Sequence, residues 1–169
     1  MARAAFRAEA DGWDARDLVF LDETSTPTTL TPLRARAPRG ERAVGTVPRG
    51  RWEQATLICA LTPEGMAAPM LRPGQVVLLD NRSVHTSATA RRLVAEAGCE
   101  LRHLPTSSPD MNPIEQAFAK VKAGLRRAAA RDFDALVAAA TPAPAAVTPA
   151  DARGFSRDAG YPLADGQPL

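Results

Sequence analysis

Two stretches of the chain are apolar without a break, and each runs into an aspartate. "LVFL" (18–21) ends in Asp22 and Glu23, and "VVLL" (76–79) ends in Asp80. Uninterrupted runs of this length, rather than alternation, suit strands covered on both faces. "WEQATLICAL" (52–61) predicts a further strand, "TPEG" a turn, and "MAAPM" (66–70) a weak strand that Pro69 confines to an edge. "CELRHLP" (99–105) predicts the last strand. Helical spacing appears in residues 3–10, interrupted by Gly12 and Asp14, and in "SATARRLVAEAG", which Gly98 stops. It is strongest in Ile114, Ala117, Phe118, Val121 and Leu125, with Lys120, Lys122, Arg126 and Arg127 off the stripe. Asn112 suits the cap of that helix, Pro113 its first position and Glu115 the third, as in a capping box. Strands interleaved with helices predict an α/β fold.

With 169 residues, 45% of them hydrophobic, one domain is the default. The core-forming pattern stops near residue 128. Beyond it "ATPAPAAVTPADAR" is rich in alanine and proline, and Pro142, Pro144 and Pro149 predict a poorly ordered tail over 129–169. No apolar stretch has membrane length, and the charged start "MARAAFRAEADGWDARD" does not read as a signal peptide, so the expected location is cytoplasmic. Cys59 and Cys99 lack metal-ligand spacing and read as packed, reduced thiols.

Charge alters the picture locally. The net charge is only +2, and of the 21 cationic residues only Lys120 and Lys122 are lysines. Arg34, Arg36, Arg39, Arg42, Arg49 and Arg51 stand against the single acid Glu41, a stretch that would attract a phosphate backbone or remain a solvated loop.

Taken singly, a strand-end aspartate reads as a loop acid and Glu115 as a helix cap. Jointly they suggest chemistry. If "LVFLDET" and "VVLLDN" are parallel neighbours, a strand spacing of about 4.8 Å brings Asp22 and Asp80 within reach of one ion. Three carboxylates converging without a cation repel one another and raise at least one pKa. Oxygen-only ligands with room for water favour Mg²⁺ or Mn²⁺, and a pair of such ions suits phosphoryl transfer at phosphodiesters.

"VFLDET", "VVLLDN" followed by His85, and "LPTSSPDMNPIEQAFAKVK" resemble the three catalytic signatures of DDE transposases of the mariner-like superfamily, in its bacterial insertion-sequence branch. The 34 residues between Asp80 and Glu115 match the interval of that superfamily. The resemblance implies a ribonuclease H-like mixed sheet flanked by helices and a two-metal centre of Asp22, Asp80 and Glu115. It implies DNA cleavage and strand transfer at insertion-sequence ends, with transposon-end and target DNA as partners and a homodimer as the assembly. Asn81 and His85 would stand behind the ligands or face DNA. Arg34, Arg36, Arg39, Arg42, Arg49, Arg51, Lys120 and Lys122 would contact DNA, and a DNA-bound molecule would be nucleoid-associated.

Measured against that family, the chain departs in three ways, the least of them local: "PTSSPD" lacks the usual aromatic, Thr86 replaces a basic residue, and the tail prolines interrupt an expected helix. It starts just before the first catalytic strand, so residues 1–17 read as the remnant of a linker to an absent helix-turn-helix domain, with 18–128 as the catalytic domain. The first crossover helix is also expected to be missing. Only Leu71 to Gly74 separate "MAAPM" from "QVVLLD", and five extended steps reach about 17 Å where a return over a full third strand and three strand spacings needs about 22 Å. "MAAPM" is therefore expected not to pair as a full strand, and one face of the sheet to lose its cover, partly baring Leu18–Leu21 and Val76–Leu79. A truncated, inactive transposase that still binds DNA or a full-length transposase is the alternative to an active enzyme.

Overall fold

The computed structural model describes residues 2–46, 49, 52–81 and 88–163. His85, Thr86 and Arg51 lie outside the described residues. The first helix, α1 (Ala2–Ala10), buries Phe6 against the sheet, and a single 3₁₀ turn capped by Asp14 leads into β1 (Leu18–Pro27). Then come β2 (Gln54–Thr62), β3 (Gly65–Ala67), β4 (Val76–Leu79), α2 (Ala88–Glu96) and β5 (Glu100–His103). The chain closes with α3 (Ile114–Ala128), α4 (Phe133–Ala140) and α5 (Pro149–Asp158).

The five strands form one mixed sheet in the order β3-β2-β1-β4-β5. β2 runs antiparallel to β1 and β3, while β4 is parallel to both β1 and β5. Helices flank both faces, as an α/β fold of the ribonuclease H type requires. Alternation along the strands divides the apolar side chains between two cores. Leu18, Phe20, Val76 and Leu78 enter the larger one with Ile114, Ala117, Phe118 and Val121 of α3, while Val19, Ala60 and Val77 enter a smaller one with Val94 of α2.

No helix occupies the connection between β3 and β4, as the short spacing predicts. Of "MAAPM", only Met66 and Ala67 pair with β2. Because β3 stops at Ala67, the crossover has residues 68–75 to use, and nine steps of extended chain reach about 30 Å. That spans the three strand spacings and the short return. The expected baring of the sheet is corrected: Leu79 is 4% exposed, and Val19 and Val77 are 0% exposed because Val94 of α2 and Leu71 of the crossover close over them. Of the eight strand residues, Leu21 alone stays half-buried.

The poorly ordered tail is also corrected. Residues 133–158 form α4, a 3₁₀ turn (Ala143–Ala146) and α5, and Leu136, Ala140, Val147, Ala152, Ala159 and Tyr161 are all buried. The prolines start helices here. Pro149 takes the first position of α5, behind a capping box in which the Thr148 hydroxyl accepts from the Asp151 N–H and the Asp151 carboxylate accepts from the Thr148 N–H. No helix among the described residues is long and apolar enough to cross a membrane.

Candidate active site

Parallel pairing of β1 with β4 sets Leu18 against Val76 and Phe20 against Leu78. Continued two residues further, the same register brings Asp22 level with Asp80, which follows the end of β4; Asp22 itself is not a strand end as the sequence suggests, because β1 runs on to Pro27 in its pairing with β2. Alternation puts both on the face covered by α3, the side of Phe20 and Leu78. Glu115 stands exposed on the first turn of α3, so all three acids belong to one end of one face.

Asp22 is only 7% exposed. Its Oδ1 accepts the Glu23 backbone N–H at 2.8 Å and its Oδ2 accepts the Asn112 side-chain amide at 3.2 Å. Burial pushes its pKa up to about 6; the Glu23 N–H opposes the rise, and the charges of Asp80, Glu115 and Glu23 add to it. Mutual repulsion of this kind is what the convergence of the three acids predicts. Each Asp22 oxygen has one lone-pair direction left after its hydrogen bond.

Asp80, Asn81, Glu115 and Asn112 line a cleft of about 300 Å³ walled by the loop from Leu104 to Pro109, and Asp22 stands behind its Asn112 wall. Asn81 donates from its amide to the Thr106 hydroxyl at 3.1 Å, which joins the end of β4 to that loop. Ser107 turns the loop through a left-handed φ of 56°. Arg3 of α1 holds the loop from outside, donating to the Ser108 hydroxyl at 2.8 Å and pairing with Asp110. The donor set suits a hard divalent ion in kind, being carboxylate oxygen only. Among the described residues, however, no group of three His, Cys, Asp or Glu side chains is arranged to hold one ion.

Two side chains here have roles that the sequence pattern does not assign. Asn112 is not a cap: α3 begins after Pro113 without a side-chain cap, and the Asn112 amide goes to Asp22 instead. A buried carboxylate left without a donor is costly, and the first N–H groups of α3 find backbone acceptors instead, Glu115 N–H on the Asn112 carbonyl and Gln116 N–H on that of Pro113. His103, at the end of β5, sets Nδ1 3.4 Å from the Asp80 carbonyl oxygen. Its adjacency to Asp80 follows only from the β4–β5 register, in which Leu79 faces His103.

The basic candidates divide. Arg34, Arg36, Arg39, Arg42 and Arg49 are exposed along an extended excursion between β1 and β2. Lys120 instead pairs with Asp151 at 2.5 Å and ties α3 to α5, and Lys122 is half-buried.

Residues 67–137 match the family model of DDE superfamily endonucleases. That stretch contains Asp80 and Glu115, while Asp22 precedes it and joins them through the β1–β4 pairing. A comparison with curated proteins found no match. The match covers under half of the chain, and it makes residues 67–137 similar to the endonuclease domain of that superfamily.

In fold the chain is similar to the Mos1 mariner transposase. It superposes on the Mos1 strand transfer complex with a TM-score of 0.64 at 16% identity, covering 94% of this chain and 55% of that one. The Mos1 paired-end complex with Mn gives 0.64 at 16% identity over 94% and 56%. The complex with Mg gives 0.60 at 11% identity over 94% and 58%. At these identities the likeness is one of fold, and the chain spans little more than half the length of these transposases.

Proposed function

We propose that this chain is the catalytic domain of a DNA transposase of the insertion-sequence branch, acting on transposon ends and target DNA by phosphoryl transfer. What carries the reading is the convergence of Asp22, Asp80 and Glu115 on one end of one sheet face, close enough that their charges raise the Asp22 pKa. Two Mg²⁺ or Mn²⁺ ions held there by Asp22, Asp80 and Glu115 would supply Lewis-acid stabilisation of the attacking and leaving oxygens. The Mos1 complexes with Mn and Mg, which share the fold, support that choice of ion.

The protein's own residues do the rest. Asn112, which lines the cleft, fixes the Asp22 carboxylate through its amide. Asn81 and the Thr106 hydroxyl form a polar rim, and Arg34, Arg36, Arg39, Arg42 and Arg49 bind DNA phosphates without reading sequence. Arg51, Lys122 and His85 complete the proposed DNA-facing set, while Lys120 serves only with its Asp151 pair broken. A homodimer would present two such centres to paired ends, and DNA binding would keep the protein at the nucleoid.

Purified protein should nick end-bearing DNA with Mn²⁺, and Asp80→Asn should abolish the nicking at unchanged DNA affinity. Nicking that persists in Asp80→Asn would refute the assignment. A second reading, a binder of DNA or of a full-length transposase that does not cut, is favoured by there being, among the described residues, no three His, Cys, Asp or Glu side chains grouped tightly enough to hold one ion. It predicts no metal-dependent cleavage and DNA binding that survives Asp22→Ala.

A further inference from the structure

The segment after α5 reaches back to the start of α3. Tyr161 is 4% exposed and donates its hydroxyl to the Met111 carbonyl at 3.0 Å, a buried contact across 50 residues of sequence. Its ring lies 5.0 Å from that of Phe20, two residues before Asp22 on the same face of β1. Arg7 of α1 stands 5.2 Å over the Tyr161 ring and donates to the Ala159 carbonyl at 2.7 Å. The Tyr161 N–H donates to the Ser156 carbonyl at 2.8 Å, so the residue is held on all sides. Burial pushes the phenol up to about 12, which keeps the donor proton in place at any working pH.

The neighbour of Met111 gives this bond its meaning. Asn112, the next residue, sends its amide to Asp22, and its carbonyl accepts the Glu115 N–H at 3.2 Å. One peptide unit therefore links the Tyr161 hydroxyl to two of the three acids.

Resting on the metal-centre reading above, we propose that Tyr161 is a positioning residue of that centre: by anchoring the Met111 carbonyl it fixes Asn112, and through Asn112 the orientation of Asp22 and the start of the helix that carries Glu115. A residue that merely fills the core would act through its ring, whereas this role belongs to the hydroxyl. Tyr161→Phe separates the two, since it keeps the packing on Phe20 and under Arg7.

Two readouts on the full chain decide. The Asn112 side-chain amide resonances of ¹⁵N-labelled protein, identified by their absence in Asn112→Ala, should shift and lose exchange protection in Tyr161→Phe without metal. The dissociation constant for Mn²⁺, read from the free-ion EPR signal, should rise about tenfold, the lower end for residues behind metal ligands. Val147→Ala, a cavity in the same C-terminal segment at a residue whose carbonyl lies against Gly65 of β3, should lower the melting temperature and change the Mn²⁺ constant less than twofold. Unchanged Asn112 signals overturn the proposal, as does Mn²⁺ binding that is unaltered in Tyr161→Phe or weakened as much by Val147→Ala. Wild-type protein that fails to bind Mn²⁺ saturably while the Asn112 signals move as expected would overturn the metal centre and leave the brace itself standing.

Discussion

Replacing Asp22 with asparagine should stabilise the metal-free protein at neutral pH. A carboxyl moved from its ordinary 3.8 to about 6 carries a penalty on its charged form that belongs to the folded state alone. The full displacement corresponds to at most about 3 kcal/mol, and water in the adjoining cleft reduces it to about 1–2 kcal/mol. The raised value fixes the sign. The folded protein loses stability as pH climbs from 3.8 through about 6, bears the whole penalty above that, and is relieved of it below 3.8. Asp22→Asn removes the charge and keeps the shape, while Asn112 can turn its amide over to present oxygen to the new one. For a chain of this size the gain amounts to about 3–6 °C in melting temperature at pH 7.5 in EDTA, shrinking toward zero at pH 4. Saturating Mn²⁺ should reverse the order, since only the wild type gains binding free energy from the ion. A variant less stable than wild type at pH 7.5 in EDTA, or a gain of equal size at pH 4, would refute the account of Asp22 as a buried, repelled carboxylate.

Asn112→Ala should destabilise the protein by about 1–3 kcal/mol at pH 7.5, because one oxygen of a buried carboxylate loses its donor, and urea melts against wild type would measure it. Leu136→Ala, at a residue 2% exposed in α4, should cost about 2–5 kcal/mol in the same melts; a change within error would mean that the segment beyond residue 128 is not part of the core. Gln at Arg34, Arg36, Arg39 and Arg42 together should weaken binding to duplex DNA of any sequence and flatten the slope of log K against log salt, by about 0.9 for each phosphate no longer neutralised, in fluorescence anisotropy titrations.

The strands that carry the acids are legible because buried strands leave an unmistakable trace: "LVFL" and "VVLL" are apolar at every position, although only β4 stops at its aspartate while β1 runs on to Pro27 against β2, which the polar "DETSTP" does not announce. The short crossover is legible for a different reason, since chain length against strand spacing is arithmetic. Asn112 misleads because an amide that suits a helix cap suits a buried carboxylate equally well, and only the pairing of β1 with β4 places Asp22 beside it. The tail misleads because proline reads as a breaker of one long helix. In "VTPAD" it opens a short one, and Thr148 with Asp151 carries the capping signal that identifies it. Tyr161 has no sequence signal at all: a lone tyrosine after a glycine becomes informative only when the fold returns it to Met111.

The missing crossover helix and the position of the acids bear on each other. The sheet is covered unequally, with α1, α3, α4 and α5 on one face and little more than α2 and the crossover on the other. Asp22, Asp80 and Glu115 all lie on the thick side. Shortening the β3–β4 connection therefore thins the face that bears none of them, and Val94 with Leu71 suffices to keep Val19 and Val77 dry there. On the thick side the supports of the site are remote in sequence: Arg3 on the loop before α3, Tyr161 on Met111, and Lys120 tied to Asp151. An acid on the first turn of a helix is only as well placed as the residues that fix where the helix starts. In this chain those residues come from its first ten positions and from beyond residue 147, so the proposed catalytic geometry depends on the two segments whose composition looks least committed to it.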